Sequence, residues 1–205
     1  MKSFKQYILE EMPQYYPGNI TYQKDTKFTP ISVRNLDDYV VLGEVDEFLY
    51  VVHPQQTMGF VFSIVDIQAS KQTVVPVMRV SLRATPLQYK QAYFLRIREA
   101  YANANITSTW YKLYVDKFNG IVSDNEHLEG GKKLWESFIK QATNNPEYKV
   151  YLVNLDTMEQ SDNITTETPQ SDIWSVDGSN KNKVLVYEKT NENDIQENKQ
   201  TKRTG

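Results

Sequence analysis

Through the middle of the chain the apolar residues change their spacing twice, and each change marks a new element. From 93 to 100 they follow the two-residue period of a strand, in β-favouring residue types. A turn-like run, 102–105, comes next. Ile106, Trp110, Leu113, Tyr114 and Phe118 then recur at steps of three and four, which predicts a helix with one side on a core. Thr107 or Ser108 is its expected cap. The run 120–124 is long enough for one buried strand, and Gly130 and Gly131 open a second helix. The apolar stripe of that helix is Leu134, Trp135, Phe138, Ile139 and Ala142. A strand that feeds a helix through a tight loop aims backbone N–H groups at whatever lies over the sheet, which makes the loop a candidate anion site.

Upstream, the alternation predicts strands at 39–42 and 47–52 around a turn at 43–46, and another at 59–66 ending in a polar turn at 69–72. A further strand is expected over 74–82, with Pro76 at its start or on an edge. Two more follow, at 149–155 and 183–187. Consecutive strands, then helix, strand, helix and strand, describe an α+β layer: a mixed, mainly antiparallel sheet with helices packed on it.

The punctuation sets the boundaries. Residues 1–11 could form a short helix with Phe4, Tyr7 and Ile8 on one face, without the apolar core of a secretory signal. Pro13, Pro17-Gly18 and Pro30 make 12–38 an irregular segment. The folded domain is expected over 39–189, with a polar insertion at about 157–182 anchored by Ile164, Ile173, Trp174 and Val176. From 190 to 205 there is almost nothing to bury, so a disordered tail is expected.

Composition narrows the chemistry. With 14 Tyr, 8 Phe and 3 Trp in 205 residues, a core is easily filled, and no apolar run is long enough to span a membrane, so a soluble protein is expected. The absence of Cys excludes disulfides, thiolate nucleophiles and sulfur-bound zinc. His53 and His127 stand alone, and no metal site is expected. A net charge of −3 argues against a nucleic-acid coat. Arg79 with Arg83, and Arg96 with Arg98, each share a strand face. They read as a site for a phosphate, nucleic acid or acidic partner, or as a solvated face paired with Glu99. Tyr15, Tyr16, Tyr22 and Tyr50 read either as a recognition surface or as core and rim.

The stretch 93–142 resembles the centre of a GNAT (Gcn5-related N-acetyltransferase) fold, particularly the divergent GNAT-like proteins of large tailed phages. The likeness covers roughly 40–190. In that family the strand–helix loop reads Arg/Gln-x-x-Gly-x-Gly/Ala, and its amides hold the pyrophosphate of acetyl-CoA. Here Ala102, Asn105 and Thr107 stand at those places. Asn105 is expected to keep the loop's shape by accepting left-handed backbone geometry. The resemblance implies a cofactor cradle of Asn103, Asn105, Ile106, Thr107 and Ser108, with a plain Asn-rich turn as the alternative. Glu99 and Asp124, at strand ends, are the candidate catalytic bases; otherwise Glu99 is solvated and Asp124 caps the next helix. Trp135 stands where the family often has the Tyr that protonates the leaving thiolate, and an indole has no such chemistry. The opening residues also resemble a phage capsid-targeting leader, with Ile8-Leu9-Glu10 as the cleavage triplet.

Two functions follow from these likenesses. One is an acyl-CoA-dependent N-acyltransferase with a degenerate cofactor loop, using acetyl-CoA and an amine acceptor. The other is a non-catalytic virion or internal head protein that uses the fold as a scaffold for a host or phage partner. Either implies a location in the phage head or the host cytoplasm. A nucleic-acid-binding accessory protein rests on the Arg pairs alone and is opposed by the charge.

Overall fold

The computed structural model describes residues 14–16, 28–70, 72–101, 105–124, 126–174 and 183–190, with backbone alone for 14–16, Glu99 and 126–129. The leader-like stretch, most of the irregular segment and the tail lie outside the described residues. The fold is α+β, as the spacing of apolar residues predicts. In chain order the first strands are β1 (Gln14–Tyr16), β2 (Ile31–Ser32), β3 (Val40–Val45), β4 (Phe48–Val52) and β5 (Met58–Ser63). Helix α1 (Ile64–Ala69) precedes β6 (Thr73–Val74), β7 (Met78–Arg83) and β8 (Lys90–Ile97). Helix α2 (Ile106–Phe118), β9 (Gly120–Val122), β10 (Glu126–Leu128) and α3 (Glu129–Asn144) follow. The last elements are β11 (Tyr148–Asn154), α4 (Gln170–Ile173) and β12 (Lys183–Lys189). Among the described residues no helix is long and apolar enough to cross a membrane.

Two compact units divide the chain, Thr21–Ile121 and Met1–Ile20 with Val122–Gly205. In the first, β3, β4, β5, β7 and β8 form an antiparallel run whose spatial order is β3-β4-β5-β7-β8. Side chains alternate between its faces. Gly59, Val61, Met78 and Val80 face α2, whose Trp110 indole fills the space over Gly59. The opposite face carries Val51, Phe60 and Phe62, buried against Ile31, Val33, Leu36, Tyr39 and Ile67.

Several boundaries differ from the sequence expectation, each for a local reason. The first hairpin turns at Asp46 and Glu47 rather than at 43–46; Asp46 takes φ 53°, while Gly43 lies inside β3 at an irregularity of register. β5 ends at Ser63 instead of running to 66, because the Ser63 hydroxyl accepts the Asp66 N–H at 3.3 Å and starts α1. Ile64 N–H donates to Glu47 O at 2.8 Å, which turns the chain there. The strand expected over 74–82 is two pieces: Thr73–Val74 pairs with Ile31–Ser32, and β7 begins only at Met78, beyond Pro76. On α2 the buried set is Ile106, Trp110, Tyr111, Tyr114 and Val115; Leu113 and Phe118 are half-buried.

In the other unit β11 pairs antiparallel with β12 over its whole length. Helix α3 packs on β11. Phe138 lies parallel to Tyr187 (4.8 Å, 3°), Tyr148 stacks on Tyr187 at 5.4 Å, and Trp135 meets Phe138 edge-on at 5.5 Å. The polar insertion is tied down along the edge of β11: Ser161 N–H donates to Leu152 O at 2.9 Å and Ile164 N–H to Val150 O at 2.7 Å. Ile164, Ile173 and Trp174 are buried, as their isolation in polar sequence suggests. β1 pairs in parallel with β10, a match between distant residues that no local pattern announces.

Candidate functional site

The expected cradle sits where β8 hands the chain to α2. β8 ends at Ile97; Arg98 N–H then donates to Val77 O at 2.9 Å, and Tyr101 N–H to Arg98 O at 2.9 Å, closing a 3₁₀ turn over Glu99–Tyr101. Asn103 lies outside the described residues. Helix α2 begins at Ile106 with Asn105 as its N-cap, so neither Thr107 nor Ser108 caps it. Asn105 has φ −69° and ψ 23°, not the left-handed geometry expected of it, and its side chain caps no N–H. The left-handed residue is Asn119 at the other end of the helix, with φ 66°.

Three of the cradle side chains are already engaged. Ile106 is buried and anchors the helix start. The Thr107 hydroxyl points inward, 3.6 Å from Met78 Sδ. The Ser108 hydroxyl donates to Asn105 O at 3.0 Å. What this helix start offers a ligand is therefore backbone: the amides of Ile106, Thr107 and Ser108, with the positive end of the helix dipole behind them.

The helix is held rigidly behind that end. Trp110 is fully buried, and its indole N–H donates to Val51 O at 3.2 Å. One turn on, Tyr114 OH donates to Gln56 Oε1 at 2.7 Å, a contact across 58 residues with no sequence signature. Burial pushes the Tyr114 hydroxyl well above its ordinary value. Burial also raises Tyr50, joined by the charge of Asp46 and opposed by a hydrogen bond with Thr109. Neither phenol is tuned towards proton transfer near neutrality.

The two candidate bases fall in different units. Glu99 is in the 3₁₀ turn after β8, with its backbone alone described. Asp124 follows β9, half-buried, and its carbonyl accepts the Ser123 hydroxyl at 2.8 Å. It does not directly precede the next helix, because β10 intervenes before α3. Trp135 is 2 % exposed and belongs to the aromatic core of its unit. Of the arginines, Arg83 donates to Gln91 Oε1 at 2.7 Å and covers Tyr93, Arg96 lies over Phe94, and Arg98 over Tyr101. His53 meets Tyr39 edge-on at 5.8 Å, and the His127 side chain lies outside the described set.

Set against family models, curated proteins and solved structures, the chain matches none of them.

Proposed function

We propose that this is a GNAT-like protein whose α2 N-terminus binds the pyrophosphate of an acyl-CoA, and that it acts as an N-acyltransferase. The reading is carried by the β8–α2 junction: three amides at a helix start, uncapped by the Asn105 side chain, in the helix that follows β8 and its 3₁₀ turn. An anion there gains both the N–H groups and the dipole. The order of antiparallel strands, helix, strand, helix and two final strands is also the one the resemblance implies. Amine acylation needs a bound thioester, a base for the amine and a route for the leaving sulfur. Glu99 and Asp124 are the residues proposed for the base. No residue is proposed as the acid, since Trp135 cannot protonate a thiolate.

Trp135 supports a second reading. Buried among Phe138 and its neighbours, it is a packing residue at the place where the resemblance expects an acid. A phage virion or internal head protein that keeps the fold as a scaffold, and binds a host or phage partner, is consistent with that exchange.

Isothermal titration of acetyl-CoA and CoA into the full chain separates the two. Micromolar binding, weakened about tenfold by Asn105→Asp, supports the transferase and justifies a screen of amine acceptors. No heat at millimolar cofactor, from protein with native circular dichroism, sinks it and leaves the scaffold.

A further inference from the structure

In the Thr21–Ile121 unit the described residues cover the sheet face opposite α2 only in part. The cover of Ile31, Val33, Leu36, Tyr39 and Ile67 lies over Val51, Phe60 and Phe62. Beside it is a cavity of about 270 Å³, lined chiefly by Phe28, Ile31, Tyr39, Met58 and Phe60, with Arg79 in its wall. Apart from Thr29 the rest of the lining is aromatic and aliphatic, and the one full charge among the described lining residues is a guanidinium.

That guanidinium is poorly satisfied. Arg79 Nε is buried and has no hydrogen-bond partner among the described residues. Leaving such a donor unpaired costs about 1–3 kcal/mol, more when it is charged. Directly across β7 and β8, the register partner of Arg79 is Arg96. Like charges opposite one another on neighbouring strands destabilise a sheet. Neither arginine forms an ion pair among the described residues. Arg96 is exposed and lies over the Phe94 ring, 4.5 Å from its centroid, and Phe94 is itself 40 % exposed. Strand alternation puts Phe60, Arg79 and Arg96 on one face, in line across three strands. The face thus presents an apolar hole, then two facing cations, then an open ring.

From this juxtaposition we infer that the cavity is a binding site for a small oxyanion on an aromatic or branched aliphatic body: the body enters between Phe28, Tyr39, Met58 and Phe60, and the carboxylate or phosphate lies between Arg79 and Arg96. The ligand accounts for both anomalies, the unpaired Nε and the repelling pair. It also separates from the helix-start anion site, since α2 covers the other face. A macromolecular polyanion fits less well, because most of the lining is apolar and the chain is net acidic.

The test is NMR on the full chain, following the Arg Nε–H and Met methyl signals while benzoate, phenyl phosphate, benzamide or inorganic phosphate is added. The Arg79 Nε–H and Met58 methyl signals should move together with benzoate or phenyl phosphate at up to millimolar concentration, the stronger of the two naming the headgroup. Arg79→Gln should weaken that binding by about tenfold to a hundredfold, the loss of a charged hydrogen bond. Arg96→Gln, at an exposed position that should not affect folding, should weaken it several-fold. Benzamide binding as well as benzoate, inorganic phosphate binding as well as phenyl phosphate, or indifference to Arg96→Gln would each overturn the assignment. So would no movement of either signal with any probe. Tighter binding of a single-stranded oligonucleotide through the same arginines would give the face to nucleic acid instead.

Discussion

Gly59 on β5 and Trp110 on α2 share one space. A Cβ on residue 59 would lie 2.1 Å from the indole Cζ2 and 2.6 Å from Cε2, inside any tolerable contact. The indole cannot swing aside cheaply, because its N–H is bonded to Val51 O. Glycine is needed here for close approach, and the approach fixes where α2 lies on the sheet. Its N-terminal amides are positioned as a consequence.

Gly59→Ala should therefore destabilise by about 1–3 kcal/mol, the cost of overpacking a filled core. Urea denaturation measures it. The same substitution in a Trp110→Leu background should cost much less, since the two residues are in contact and couple. Equal costs in both backgrounds would mean that the clash is not the cause.

Tyr114 gives a pH signature. Its unfolded phenol titrates near 10.0, and burial raises it further in the fold. Between those values the unfolded chain has lost a proton that the folded chain keeps, so ΔG of unfolding falls as pH rises. Stability should be flat in pH on this account below 10, then decline above it. Tyr114→Phe should lower stability at neutral pH by about 0.5–1.5 kcal/mol through loss of the bond to Gln56. It should also soften the alkaline decline, with Tyr39 and Tyr50, both raised by burial, leaving a remainder. An unchanged alkaline limb would assign the decline to other groups.

How much of this was legible depends on how local each cause is. The α2 helix is written in Ile106, Trp110 and Tyr114, whose spacing alone places a core beneath it. The polar insertion announced its anchors in the same way, since Ile164, Ile173 and Trp174 had nowhere else to go. The strand expected over 59–66 overruns Ser63 because Ile64 and Val65 favour strands, while the cap that starts α1 depends on a single hydroxyl. The pairing of β1 with β10, the Tyr114–Gln56 bond and the facing of Arg79 with Arg96 join residues far apart in sequence, and no period encodes them. At the cradle, Thr107 and Ser108 are cap residues by type, but their hydroxyls turn to Met78 Sδ and Asn105 O, and the cap position falls to Asn105.

Ser123, directly after β9, is bonded to Leu185 of β12 in its own unit. Its backbone N–H donates to Leu185 O at 2.8 Å, while its hydroxyl accepts the Leu185 N–H at 2.9 Å and donates to Asp124 O at 2.8 Å. The residue is 1 % exposed, so water cannot replace the hydroxyl. Ser123→Ala should cost about 1–3 kcal/mol, the penalty of buried groups left unpaired. Hydrogen exchange at Leu185 should accelerate with it; protection as in the native chain would place the cost elsewhere.

If the transferase reading holds, the two carboxylates separate by substitution. Glu99→Gln or Asp124→Asn, whichever removes the base, should lower acetyl transfer by about a hundredfold to ten-thousandfold with acetyl-CoA binding unchanged. The other should leave the rate near that of the native chain. A rate insensitive to both substitutions would exclude these residues as the base.

Asn105 offers the sharpest test, because stability and binding should move in opposite directions. Its side chain caps nothing at the start of α2, and the first turn of the helix carries no acidic residue. Asn105→Asp should add about 0.3–1 kcal/mol to stability by placing a negative charge at the positive end of the helix. The same charge occupies the field that an incoming pyrophosphate would use, and acyl-CoA affinity should fall. A merely structural helix start would show the first effect without the second. A binding site elsewhere would show cofactor affinity that ignores the substitution. Only an anion held by the amides of Ile106, Thr107 and Ser108 links a more stable protein to a weaker complex.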